Sequence, residues 1–280
     1  MPVVVADLSE ALLTFKYTGQ MIDGMNHNLQ IIPIPAFKDN YIWLIHNGTQ
    51  ATVVDPGDAA PVIASLNHLN LTLTTILITH HHHDHIGGVA ELLKAFPNAI
   101  AYAPALEQYA FEHTAISEQN TVHLKDLNIS FSILDLPGHT LGHIAYYSAK
   151  HEVLFCGDTL FGAGCGRLFE GTPTQMYHSL KKLAALPSAT KIYCTHEYTM
   201  HNINFALMFE PKNQRLIERH KTTQKLRESN FPSLPSTIEL ELATNPFLRC
   251  DYQEIQLSIQ LKNASEIETF SKLRELRNHY

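Results

Sequence analysis

Residues 79–88 read THHHHDHIGG, placing five histidines and one aspartate within ten positions. Just before them TTILI forms a β-branched apolar run that reads as a buried strand, and the closing glycines open GGVAELLKAF, which has helical spacing. The histidines therefore fall on a strand-to-helix turn, where side chains converge at the edge of a sheet. An affinity tag would sit at a chain end and carry no embedded aspartate. On a strand tail side chains alternate, so His80 and His82 point one way and His81 the other. Asp84 and His85, on the turn and the first helical residue, approach from another side. One metal ion needs three or four ligands, so this cluster is incomplete by itself.

Further donors follow other apolar strands: His139 in LPGHTLGH, Asp158 in FCGDTLF and His196 in IYCTHEYT. With His80, His82, Asp84 and His85 they make five imidazoles and two carboxylates. Two metal ions sharing Asp158 and a water would use all of them. Mixed imidazole and carboxylate donors suit Zn, Fe or Mn and disfavour a thiolate site. Gathering so many imidazoles without a metal would be costly on protonation. His81, His83 and His143 read instead as hydrogen-bonding residues outside the ligand set. Asp55, which ends the strand ATVVD, has two readings: a partner fixing a ligand imidazole, or a plain turn aspartate before Pro56.

The chain of 280 residues, 45% hydrophobic and 17% charged, has the composition of a soluble globular protein with one large or two modest domains. A net charge of −7 argues against a nucleic-acid partner. Cys156, Cys165, Cys194 and Cys250 form no C-x-x-C pair and no disulfide framework, which fits a reducing, cytoplasmic setting. No apolar run reaches membrane-spanning length. The first 24 residues lack the basic start of a signal peptide. They read either as an extension before a natural start at Met25 or as a short surface helix over SEALLTF.

All 13 glycines fall at or before Gly171. The first part accordingly reads as strand- and loop-rich, with LQIIPIPAF, NYIWLI, ATVVD, TTILIT, AIAYA, ISFSILDL, HIAYYS and EVLFCGD as strands. APVIASLNHLN and GGVAELLKAF lie among them as helices, giving a layered α/β domain. Beyond about Met200 the pattern turns helical, most clearly in NQRLIERHKTTQKLRES and EIETFSKLRELRNHY, with FPSLPST separating helices. The expected division is 1–24 as an extension, 25–198 as the metal-binding domain and 199–280 as a helical domain. GAGCG lacks the G-K-[ST] ending of a nucleotide loop, and its small flanking residues leave Cys165 no catalytic role.

H-x-H-x-D-H, then G-H-T, G-D-T and a last histidine, resembles the ordered motifs of the metallo-β-lactamase superfamily. More narrowly, IPAFKDNYIWLI, VDPGD, LPGHT, CGDTLFGAGCGRLFEGT, THEYT, NPFLR and LRELRNHY resemble the glyoxalase II (hydroxyacylglutathione hydrolase) family, over essentially all of residues 31–280. The resemblance implies an αββα sandwich followed by a C-terminal helical domain. It implies one metal on His80, His82 and His139, a second on Asp84, His85 and His196, and Asp158 bridging, with zinc the expected metal. It also implies that Arg167, Phe169, Tyr198, Arg274 and Arg277 bind a glutathione thioester. The family commonly has lysine where Arg167 and Arg277 stand and tyrosine where Phe169 stands. Arginine binds a carboxylate more directionally, whereas Phe169 lacks a phenolic hydrogen bond.

The implied reaction is hydrolysis of S-D-lactoylglutathione and related 2-hydroxyacyl thioesters to D-lactate and glutathione, the second step of methylglyoxal detoxification, by a monomer without membrane association. Two metals about 3.5–4 Å apart bring a shared water's pKa towards ~7, making hydroxide available. Asp84 would orient it as well as bind metal. A thiolate leaving group has a reference pKa of about 8.5 and needs little acid assistance, so the lack of an obvious general acid suits a thioester better than an amide or phosphate. Four rivals share the metal motif. An RNA nuclease would show a basic insertion; a persulfide dioxygenase would use one iron and usually lack the helical domain; a lactonase would not need the terminal arginines; a regulatory metal module would show no turnover.

Overall fold

The computed structural model describes residues 29–280. The Met25 start and the SEALLTF segment lie outside the described residues. Two six-stranded sheets form the first part. One has the order β1-β2-β3-β4-β5-β6, from Gln30–Ala36, Asn40–His46, Gln50–Val54, Thr72–Leu77, Ile100–Pro104 and Thr114–Ile116. The other runs β14-β13-β10-β9-β8-β7, from Ser236–Thr237, Lys191–Cys194, Val153–Gly157, Ile144–Ser148, Ile129–Asp135 and Thr121–Leu124. Leu160–Phe161 and Gly164–Cys165 (β11 and β12) make a small antiparallel hairpin.

Strand periodicity explains the layering. In β2, Ile42 and Leu44 face α1 (Ala59–His68) and α3 (Val89–Ala95) through Val62, Leu66, Val89 and Leu92. Trp43 and Ile45, on the opposite face, pack with Phe131, Tyr146 and Phe155 of the second sheet. Met176, Leu180 and Leu183 of α4 (Pro173–Ala184) join that same core. The result is the expected αββα sandwich with helices on both outer sides.

Two polar contacts draw the sheets together at one end. Trp43 Nε1 donates to Cys194 O at 3.0 Å, and Tyr146 Oη donates to Ile78 O at 2.8 Å. Each polar tip finds a carbonyl while its ring fills the interior.

The C-terminal helices are α5 (Thr199–Leu207), α6 (Gln214–Glu228), α7 (Ile238–Thr244), α8 (Gln253–Ser258) and α9 (Glu266–Asn278). FPSLPST does separate helices, but Ser236–Thr237 within it also pairs with β13 at the sheet edge. An edge position tolerates the neighbouring proline. Buried Glu241 of α7 fastens this region to the sandwich. It accepts from Arg219 of α6 at 2.5 Å, from Ala163 N of the β11–β12 hairpin at 2.8 Å, and from Ser236 and Asn245.

Removing one partner of such a pair leaves an uncompensated buried charge. Glu241→Ala is expected to lower unfolding stability by about 3–5 kcal/mol. Denaturant unfolding checks this, and a loss below ~1 kcal/mol would show that Arg219 is satisfied without Glu241.

Candidate metal centre

The donors gather because four strands of the sandwich end on the same side. His80 and His82 follow β4, His139 follows β8, Asp158 follows β10 and His196 follows β13. Strand β4 stops at Leu77, so residues 78–82 are loop, with a bend at Thr79, rather than strand tail. The alternation persists: His80 is buried inward, and His81 turns out to Glu107 and Glu170. Asp84 and His85 lie two residues further into a helix than the turn reading expects, in α2 (His83–Ile86). His83 is exposed. Glycine is required where backbones touch: a Cβ on Gly57 would stand 1.9 Å from Asp84 O, and one on Gly166 1.9 Å from Asp158 O.

Three ring nitrogens converge in a first group. His82 Nδ1 lies 3.1 Å from His80 Nε2 and 3.0 Å from His139 Nε2. A second group combines Asp84, His85 and His196, with Asp84 Oδ2 at 3.6 Å from His85 Nε2 and 3.4 Å from His196 Nε2. Asp158 lies between the two: its Oδ2 is 3.4 Å from both His139 Nε2 and His196 Nε2, and its Oδ1 is 3.4 Å from His85 Nε2.

Four of the five imidazoles have their outward nitrogen engaged, which leaves the inward nitrogen a lone pair. His80 Nδ1 meets Thr79 Oγ1 at 3.1 Å, His139 Nδ1 meets Arg167 O at 2.8 Å and His196 Nδ1 meets Asp39 Oδ1 at 2.9 Å. His85 Nδ1 faces Asp55 Oδ2 at 3.0 Å, an ion-pair contact whose angle falls outside hydrogen-bond geometry. His85 Nε2 and Asp158 Oδ1 are buried without hydrogen-bond partners.

Electrostatics divide the donors. Burial, with help from neighbouring imidazoles, lowers His80 well below the ordinary histidine value, and burial likewise lowers His82 and His139. Burial would raise Asp158, but the charges of His196 and His85 more than offset it and hold the carboxyl far below its usual range. Asp84 behaves the same way, with His196 as its main counterweight. Burial would lower His85 and His196, yet Asp158 and the other carboxylates raise both. The centre therefore offers neutral nitrogens on one side and two carboxylates that demand positive charge on the other. A pair of divalent cations fits that donor set.

His143 is the buried hydrogen-bonding ring the sequence suggests: Asp158 N donates to its Nε2 at 3.1 Å, and it stacks on His80. Asp39 and Asn40 are not legible from the sequence as site residues. Asn40 Nδ2 donates to Asp84 Oδ2 at 3.0 Å. Asp39 lies in the polar turn before β2 and Asn40 opens that strand, a signal for a turn but not for its distant partners.

Aromatic side chains flank the donors. The Phe169 ring, 60% exposed, stands edge-on to His82 and His139 at 5.2 and 5.3 Å. Tyr198 stacks on His196 at 4.7 Å, nearly parallel. Arg167 is exposed, its guanidinium 5.9 Å from the Phe169 ring. Arg277 is half-buried and donates to Asn202 Oδ1 at 3.0 Å. Burial, then the neighbouring charge of Arg274, lower its guanidinium below the ordinary value. Arg274 is 5% exposed and donates to the carbonyls of Cys165 and Gly166 at 2.9 and 3.4 Å. Of the two terminal arginines, Arg277 has the greater access to solvent.

Two family models together match the chain: "Metallo-beta-lactamase superfamily" over residues 37–196 and "Hydroxyacylglutathione hydrolase C-terminus" over residues 197–280. A hydroxyacylglutathione hydrolase of Methylobacillus flagellatus is 52% identical over 251 residues, covering 90% of this chain and 99% of that protein. One of Photobacterium profundum is 49% identical over 255 residues, covering 90% and 100%. The solved structure of the BLEG-1 B3 metallo-β-lactamase superposes with a TM-score of 0.57 at 26% identity, covering 79% of this chain and 99% of that one.

The inward and outward histidines make a direct test. His82→Ala is expected to lose at least one bound metal equivalent, whereas His81→Ala keeps the parent's full content. Elemental analysis of both variants decides, and equal losses would mean that the two rings have been assigned to the wrong sides.

Proposed function

The chain belongs to the hydroxyacylglutathione hydrolase family of the metallo-β-lactamase superfamily, and on that premise we propose how its residues divide the work of thioester hydrolysis. It is a thioesterase of the glyoxalase II type. The substrate is S-D-lactoylglutathione, with related S-2-hydroxyacylglutathiones, and the products are the 2-hydroxy acid and glutathione.

The observation that carries this reading is the set of inward nitrogens with anchored outer edges, bracketed by two carboxylates. His80, His82 and His139 would hold one divalent ion, and Asp84, His85 and His196 a second, with Asp158, which contacts both groups, shared between them. The nitrogen and oxygen donors favour zinc, with iron or manganese also suited. When bound, the metal pair supplies ionised water near neutral pH and polarises the thioester carbonyl.

The protein's own groups do the rest. Asp84 has the more exposed carboxylate of the two, 40% against 9% for Asp158, and Asn40 fixes its orientation. It aims the attacking water from the open side. Phe169 and Tyr198 wall the cleft and exclude water from the two flanks. Arg167 and Arg277 meet the carboxylates of the glutathione portion, and Arg274 holds the carbonyls before Arg167. Phe169 supplies apolar contact only. The departing thiolate, with a reference pKa of about 8.5, leaves without a dedicated acid.

All seven donors lie in one chain, so the monomer we propose as the working unit holds a whole site. We put the domain boundary after Tyr198, where α5 begins, with Ser236–Thr237 returning to pair with β13. The four buried free cysteines support a reducing, cytoplasmic setting. Among the described residues no helix is long and apolar enough to cross a membrane.

Elemental analysis is expected to give about two metal equivalents alongside hydrolysis of S-D-lactoylglutathione. One equivalent at full activity would remove the bridging role of Asp158. Arg277→Ala is expected to raise KM roughly three- to tenfold with a smaller change in kcat, because it removes a charge-assisted contact to bound substrate. Steady-state kinetics check this, and an unchanged KM would take Arg277 out of the binding site.

A further inference from the structure

Arg277 stands near the end of α9 on a stem with several rotatable bonds, so its place on the helix does not decide which edge of the guanidinium faces outward. Two aromatic rings flank it, Phe205 and Tyr280, each 5.8 Å from the guanidinium carbon. Rings attract a cation without setting its rotation. Among the described residues one side chain does set it. Asn202 Oδ1 accepts from Arg277 Nε at 3.3 Å and from Arg277 Nη2 at 3.0 Å.

Asn202 is itself held still. It is 3% exposed and lies on α5, the helix that begins directly after Tyr198. Its Nδ2 donates to Gly162 O at 3.0 Å, in the turn between β11 and β12. A carbonyl only accepts and a guanidinium only donates, so these two neighbours admit a single orientation of the amide.

The chemistry of the contact matters as much as its geometry. A carboxylate in place of the amide would hold the guanidinium equally well but cancel its charge. An amide oxygen orients the cation and leaves the charge whole, and among the described residues no carboxylate forms an ion pair with Arg277. Asn202 occupies the Nε–Nη2 edge. The outer Nη1–Nη2 edge remains, and it too matches the two oxygens of a carboxylate.

We propose that Asn202 is a positioning residue for glutathione recognition: its amide oxygen fixes the Nε–Nη2 edge of Arg277, so that the outer edge meets a carboxylate of the glutathione portion with its charge uncancelled. This rests on the reading of Arg277 as a substrate ligand and adds a residue that touches neither metal nor substrate. The helix that follows the last metal donor thereby sets the aim of a cation on the last helix of the chain.

The test uses the full-length, metal-loaded protein. Asn202→Ala is expected to raise KM for S-D-lactoylglutathione roughly two- to fivefold, to leave kcat within about twofold and to keep the parent's metal content. Added to Arg277→Ala, the same substitution is expected to raise KM no further, because the amide acts through that guanidinium alone. Asn202→Asp keeps the shape and an acceptor oxygen but sets a negative charge beside Arg277, and it is expected to raise KM by offsetting the cation. If Asn202→Ala does not fold, the shape-preserving Asn202→Asp carries the test. Calorimetric binding of free glutathione reads the same losses without turnover. An unchanged KM and glutathione affinity in either Asn202 variant, with KM raised in Arg277→Ala, would overturn the proposal and leave Arg277 a ligand. A further rise in KM when Asn202→Ala is added to Arg277→Ala would also overturn it, since Asn202 would then act through the hairpin rather than the guanidinium. An unchanged KM in Arg277→Ala removes the premise, and the role of Asn202 falls with it.

Discussion

The buried carboxylate of Asp55 is the constraint on which the metal end of the sandwich depends. Its Oδ1 accepts from Thr79 N at 2.8 Å, and its Oδ2 accepts from Thr79 Oγ1 at 2.8 Å and Thr195 Oγ1 at 3.4 Å while facing His85. It therefore ties together the chain segments that leave β3, β4 and β13, and two of these, β4 and β13, lead directly into metal donors. A desolvated carboxylate is tolerable only with such donors. Its backbone adds to the demand, since φ is +53°, a left-handed conformation that costs about 1 kcal/mol or more outside glycine. Both readings of Asp55 meet in this one residue: it turns the chain before Pro56 and it faces a site imidazole.

The same logic spreads outward from Asp55. Thr79 passes the contact to His80 Nδ1, Asp39 does the equivalent for His196, and the carbonyl of Arg167 does it for His139. Each outer partner fixes which nitrogen carries hydrogen and how the ring is turned, so the inward lone pairs converge without having to be sorted when a cation arrives. The lowered imidazoles of His80, His82 and His139 then sit beside the carboxylates of Asp84 and Asp158. That asymmetry follows from burial depth and from which groups lie beside the acids. His80 is surrounded by other imidazoles, whereas His196 is surrounded by Asp39, Asp84 and Asp158.

Legibility in the sequence tracks how local the determining physics is. The strands with apolar runs, such as NYIWLI and ISFSILDL, are readable because each buries its own side chains. Thr114–Ile116 and Ser236–Thr237 are two or three residues long and exist as strands only because a neighbouring edge pairs with them. Helix α4 has a readable start, with Thr172 and Gln175 forming a capping box and proline at the first turn, but its strand-rich surroundings mask it. The donors are readable because four of them lie within six positions and the rest follow strands. Asp39 and Glu107 are not, since their partners are brought to them by folding. The i,i+3 spacing of Arg274 and Arg277 indicates a shared helix face. It carries no information on depth, and the structure turns Arg274 inward.

That inward turn joins the two ends of the chain chemically. Arg274, on the last helix, donates to the carbonyls of Cys165 and Gly166. The next carbonyl, that of Arg167, takes the hydrogen of His139 Nδ1. A guanidinium has fixed donor geometry and remains charged, so it holds two adjacent carbonyls firmly where water would let them drift. The peptide after Gly166 is thereby set, and with it the acceptor that fixes the tautomer of a metal-site ring. The glycine at 166 is what lets this peptide approach Asp158 closely enough for the arrangement to exist. The Arg167 residue and the His139 ring are thus positioned by one short run of backbone, residues 165–167. The helical domain is, for that reason, part of the framework that orients the candidate metal centre.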